Sequence, residues 1–84
     1  RVQEQYNRYI GLYIEIDKSM TRGVYDYINE CGYELSSVEK KRDKTLKGSD
    51  IVLIMMLDLK KRRNHAEVLS EVSQIEGVHY LEEV

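Results

Sequence analysis

Along the chain, apolar residues first recur with a period of two. Ile10, Leu12, Ile14 and Ile16 alternate with Tyr9, Gly11, Tyr13 and Glu15, the signature of a strand with one buried face. The period then lengthens. Val24, Tyr27, Ile28 and Cys31 fall at the i, i+3, i+4, i+7 spacing of a helical stripe, with Met20 one turn earlier. This spacing predicts a buried Cys31. Ser19 or Thr21 is suited to cap the helix start, and Gly32 to end it. Gly23 inside the helix costs about 1 kcal/mol relative to alanine. Residues 33–41 read as a second, more polar strand, fit for an edge where lysines discourage unwanted pairing. Residues 43–49 are a polar, glycine-containing connection, expected as a mobile hairpin loop. Residues 51–57 form a continuous apolar run, which suggests a central strand covered on both faces. After a basic turn at 60–63, Asn64 is a candidate cap for a second helix with the stripe Val68, Leu69, Val72 and Ile75. Gly77 then turns the chain, and Val78, Tyr80 and Leu81 favour a closing strand over 78–84.

The order is strand, helix, strand, strand, helix, strand. It predicts an α+β, ferredoxin-like βαββαβ fold, with a four-stranded, overall antiparallel sheet and both helices on one face. Right-handed crossovers place strands one and three side by side in the centre, expected parallel, with strands two and four at the edges. The uncovered face then carries Tyr9, Tyr13 and half of the run 51–57. That is too apolar for open water, so Tyr9 and Tyr13 are expected at an interface, with a second copy or another domain as cover.

Eighty-four residues make one domain, and the 42% hydrophobic and 33% charged shares are those of a folded chain. A net charge of −2 argues against nucleic acid, and the third strand lacks the aromatics that stack bases in RNA-binding sheets of this topology. The single cysteine excludes an internal disulfide and fits a reducing compartment. No apolar run approaches the roughly 20 residues needed to cross a bilayer, so this stretch does not span one. Residues 1–8 read as a linker from a preceding domain and 9–84 as the folded unit, the whole a piece of a longer protein.

Candidate chemistry is sparse. His65, His79, Cys31, Asp17, Asp50 and Asp58 have no ligand spacing, so no metal is expected and both histidines are read as solvent-facing. There is no phosphate loop, no cofactor motif, no nucleophile with a base, and no paired carboxylates for acid–base work. A small anion-binding enzyme on this fold would need an arginine loop before the first helix. Arg22 is the only arginine nearby, and it lacks a glycine-rich loop. The one place for a ligand is the turn Asp17, Lys18, Ser19. There the N–H groups of a helix start could meet a carboxylate while Asp17 meets an ammonium. The basic stretches 40–42 and 60–63 are read as solvated turns, the second also able to face anionic lipid.

The first strand, the stretch Gly32-Tyr33-Glu34-Leu35-Ser36-Ser37-Val38, and the closing Ile75-Glu76-Gly77-Val78 together resemble an ACT-type regulatory domain. The chain resembles more closely the cytosolic C-terminal domain of the MgtC/SapB family of bacterial membrane proteins, over residues 9–84. That resemblance implies a non-catalytic regulatory or interaction domain at the cytoplasmic face of the bacterial inner membrane. Its parent would be associated with magnesium limitation, and its partners would be a second copy or the parent's membrane domain. The alternative is an amino-acid-sensing ACT domain of a soluble enzyme or regulator. The Asp-Arg-Pro-Gly-like turn of amino-acid-binding ACT domains is matched at Asp17, but the proline is missing and the glycine is displaced to Gly23.

Overall fold

The structure, a computed structural model, describes residues 5–46 and 48–84. Its elements are β1 (Tyr9–Asp17), α1 (Thr21–Glu30), β2 (Glu34–Lys41), β3 (Asp50–Asp58), α2 (His65–Ser73) and β4 (Val78–Glu83), with a 3-10 turn (Lys18–Met20) between β1 and α1. The sheet order is β2-β3-β1-β4. The two most apolar strands are central and the two polar ones lie at the edges, as the hydrophobicity predicts. The expected parallel pairing of the central strands is incorrect: β1 and β3 are antiparallel, with Ile10 opposite Leu57 and Ile16 opposite Ile51. The reason is the hairpin. α1 carries the chain across to β2, parallel to β1 but one place removed, and the short β2–β3 connection reverses direction, so β3 slots between them antiparallel to both.

One face of the sheet is closed by the helices. Ile10, Leu12, Ile14 and Ile16 of β1 are buried with Leu53, Met55 and Leu57 of β3 beneath Val24 and Ile28 of α1 and Val68 and Val72 of α2. Strand alternation fixes this choice, because a shift of one residue would turn the isoleucines outward. Glycine matters where the layers meet. A Cβ on Gly23 would lie 2.9 Å from the Ile75 side chain, so the missing side chain that weakens α1 also lets the end of the α2 segment approach it. Gly77 has φ +92° and faces Met20, whose Cβ would be 2.4 Å from any Cβ placed there.

Local expectations divide. Asn64 caps α2 as its position suggests, accepting from the Ala66 N–H at 2.9 Å. Neither Ser19 nor Thr21 caps α1. Its N-cap position is Met20, without a side-chain hydrogen bond, because Asp17 starts the 3-10 turn instead. Cys31 is exposed, contrary to the stripe reading. The helix ends at Glu30 with Cys31 as its C-cap, still in helical backbone, and Gly32, with φ +75°, then turns the chain towards β2. Among the described residues no helix is long and apolar enough to cross a membrane.

Candidate functional site

The uncovered face is built by the alternate residues of all four strands. Its half on β1 and β4 has a regular plan. Tyr13 stands opposite Glu82, and Glu15 opposite Tyr80. Each tyrosine donates its hydroxyl to the glutamate two residues along its own strand: Tyr13 to Glu15 at 2.9 Å and Tyr80 to Glu82 at 2.7 Å. The two rings meet edge to face, centroids 6.1 Å apart at 78°. Hydrogen bonding to the carboxylates raises both phenols above their ordinary range, so the rings stay neutral. Around this square, Tyr9 is 49% exposed, Tyr80 48% and Met56 39%. On the same face of β3, Ile54 is half-buried and Val52 is buried, so the exposed apolar area is smaller than half the run 51–57. The terminal Val84 lies over Gly11, where a Cβ would sit 2.9 Å from the Val84 oxygen.

At one end of the face a similar pairing is already filled. Tyr9 stands opposite Asp58. Arg8 bonds both carboxylate oxygens of Asp58, at 2.6 and 2.8 Å, and its guanidinium carbon lies 5.4 Å from the Tyr9 ring centre. The Arg8 hydrogen bonds hold the Asp58 carboxyl down to about 2.

The turn Asp17, Lys18, Ser19 is occupied by its own bonds. Asp17 accepts from the Ser19 N–H and hydroxyl at 2.9 and 2.8 Å, which lowers its pKa. The Lys18 N–H donates to the Ser49 carbonyl and the Asp17 N–H to the Gly77 carbonyl. Beside it, a hollow of about 560 Å³ is lined by Glu15, Asp17, Leu46, Asp50 and His79, among others. His79 is exposed and pairs Nδ1 with Asp50 at 2.7 Å, which raises its pKa, with Asp17 adding a smaller electrostatic push.

His65 departs from the sequence expectation of a solvent-facing ring. It is 3% exposed. Its Nδ1 lies 2.7 Å from a Glu83 carboxylate oxygen and its Nε2 2.6 Å from the Asn7 carbonyl. A carbonyl only accepts, so Nε2 carries a hydrogen. The same residue's backbone N–H donates to the Gln5 carbonyl, and the Leu59 N–H donates to the Arg8 carbonyl. The Asn64 amide meets the Tyr6 hydroxyl at 3.4 Å. Residues 5–8, within the segment read as a linker, are thus bonded to the start of α2 and the end of β3. Residues 1–4 of that segment lie outside the described residues. Of the basic turn, Lys60 pairs with Glu34 at 2.6 Å, and Arg63 pairs with Glu71 and bonds the Tyr33 hydroxyl. Lys61 and Arg62 are exposed. Tyr27 donates to the same Glu71 at 2.6 Å; burial and that bond both push its phenol up. Among the described residues no three of His, Cys, Asp and Glu are arranged to hold a metal.

Two of these groupings escaped the sequence reading. The Tyr80 and Glu82 half of the square had a visible signal: Tyr13-Ile14-Glu15 and Tyr80-Leu81-Glu82 share the pattern of tyrosine, aliphatic residue, glutamate on two strands. His65 also had one, since it precedes Val68 and Val72 by three and seven residues on the same helical stripe.

Element order and strand order define a ferredoxin-like βαββαβ domain of the ACT type. Within that class the chain is similar to the C-terminal domain of the MgtC protein from Mycobacterium tuberculosis, a solution structure. The TM-score is 0.68 at 13% sequence identity, covering 99% of this chain and 92% of that one. At this identity the likeness establishes a common fold, and it agrees with the resemblance read from the sequence. No protein-family model matches the chain, and no curated protein matches it significantly.

Proposed function

We propose that this chain is a non-catalytic, regulatory interaction domain that docks through the open face of its sheet, as the cytosolic part of an MgtC-like membrane protein. The observation that carries this reading is the uncovered sheet face, where Tyr9, Tyr80 and Met56 are all more than a third exposed on a regular surface. Tyrosines on such a surface suit association, since the ring buries while the hydroxyl keeps a polar partner. The second support is the common fold with the MgtC domain. The partner in this reading is the membrane domain of the same parent. Its cytoplasmic loops would carry the Lys and Arg excess general to membrane proteins, which complements carboxylates on the sheet face. Two copies meeting through this face would set Glu15 and Glu82 against their own kind.

The test is position-specific photocrosslinking in the cell. A photoreactive phenylalanine derivative replaces Tyr80 or Met56 on the face, or Arg22 on α1 as the control. The expected outcome is one defined crosslinked product from the face positions, containing the parent's membrane domain, and none from position 22. Equal crosslinking from both sides of the molecule, or none from the face, would overturn the reading. A crosslink to a second copy would replace the membrane domain by a homodimer.

A further inference from the structure

We infer that the square of Tyr13, Glu15, Tyr80 and Glu82 is a receptor for an arginine or lysine side chain of the docked partner. The inference rests on the reading of the sheet face as a docking surface and names the group that the face takes.

The argument comes from the chain's own filled example. At the Tyr9 and Asp58 pair, an acid on one strand stands opposite a tyrosine on the next, and Arg8 engages both, bonded to the carboxylate and placed near the ring. At Tyr13 and Glu82, and again at Glu15 and Tyr80, the same cross-strand pairing recurs on the same face. There the carboxylates receive tyrosine hydroxyls, and among the described residues no lysine or arginine is placed against either glutamate. Glu15 and Glu82 are diagonal across the two strands, a separation of about 7–8 Å. The open-face residues of β1 and β4 within the square include two acids and no base.

The chemistry selects the ligand. Two neutral rings present π-faces and edges, and two carboxylates supply charge, so a cation gains from both. Guanidinium is favoured over ammonium because it is planar, stacks on rings and bonds carboxylates in a fixed fork. An anionic group would face two carboxylates and is excluded. An uncharged group would gain ring contact and no ion pairing. The hydroxyl bonds pre-orient both glutamates, so little side-chain freedom is lost when the cation arrives.

The test is an NMR titration of the 84-residue chain with two nine-residue peptides, one alternating leucine with arginine and one alternating leucine with glutamine. The expected result is shifts centred on Tyr13, Glu15, Tyr80 and Glu82 with the arginine peptide. Its affinity should be about tenfold or more above that of the glutamine peptide, and fall with added salt. A Glu15→Gln, Glu82→Gln double variant should lose that preference, with a Glu30→Gln variant on α1 as the unaltered control. Equal binding of the two peptides at the face would overturn cation recognition while leaving the face as a docking surface. Shifts centred on other residues, or no binding by the arginine peptide, would overturn the inference as well; crosslinking through the face decides separately whether the docking surface stands.

Discussion

The two histidines are opposite solutions to the same problem of placing an imidazole next to a carboxylate. His79 sits at the rim, exposed, its ring bonded to Asp50 and otherwise open to solvent among the described residues. His65 is 3% exposed, and both ring nitrogens are engaged, one by Glu83 and one by the Asn7 carbonyl. The difference teaches what burial does to a polar side chain. At the rim a lost partner is replaced by solvent. In the interior every acceptor must keep its donor, because an unsatisfied buried group costs about 1–3 kcal/mol. His65 therefore acts as a structural tie between three distant pieces of chain: residues 5–8, α2 and the end of β4.

The largest effect that would break this contrast is expected from His65→Ala. It removes a buried ring, strips the Asn7 carbonyl of its donor and leaves Glu83 without its ring partner, so a loss of about 2–3 kcal/mol is expected in denaturant unfolding. Hydrogen exchange of the His65 backbone N–H, which donates to Gln5, should accelerate in the same variant. A loss below about 0.5 kcal/mol would remove the distinction between the two sites. Glu83 sharpens the point. Glu83→Gln leaves a group able to donate to Nδ1 and should cost less than about 1 kcal/mol, whereas Glu83→Ala should cost more. Equal effects of the two would show that packing, not the hydrogen bond, holds the ring.

Arg8 offers a third measurement, by pH. Asp58 has a lowered pKa in the fold, held at about 2 by Arg8, so its contribution is complete above the ordinary value of 3.8 and is lost as pH falls towards 2. An acid titration should show wild type more stable than Arg8→Gln above pH 3.8, with the two stabilities converging as pH falls from 3.8 towards 2. The smallest effect is expected at the rim. The pKa of His79 is raised, so its pairing with Asp50 is fully present below the ordinary 6.5 and fades as pH climbs through the raised value. His79→Ala should be nearly indistinguishable from wild type at pH 9. At pH 5.5 in low salt it should be slightly less stable, a difference erased by high salt. A His79 effect rivalling that of His65 would reverse the ranking.

Periodicity made most of the fold legible. β1 and β3 announce themselves by alternation and by continuous hydrophobicity, α2 by its stripe and Asn64, and the turns by Gly32 and Gly77. Strand direction was misread because the crossover was considered without the hairpin that follows it. Cys31 was misread because a helical stripe says which side of a helix a residue lies on, not how far the covering layer extends, and Cys31 lies at the C-cap, past the last residue of α1. The candidate site was legible in half. Tyr9 and Tyr13 follow from alternation, but Tyr80 and Glu82 complete the square only once β4 is known to lie beside β1. His65 shows the hard limit. Its partners are 58 and 18 residues away, at Asn7 and Glu83, and no local pattern contains them. At the turn of Asp17, Lys18 and Ser19 the sequence shows a helix start, but not that Ser49 and Gly77 supply carbonyls to it.

The bonding of residues 5–8 also has a mechanical meaning. A segment free to rotate acts as a leash, and the encounter rate of what it carries is set by leash length. Here the chain enters through five successive attachments: Gln5 and Asn7 to His65, Tyr6 to Asn64, and Arg8 to both Asp58 and Leu59. Whatever lies N-terminal to Gln5 therefore meets a rigid coupling at a fixed point of the surface. A torque applied there is delivered to the whole sheet, and the tyrosine face turns with it as one body.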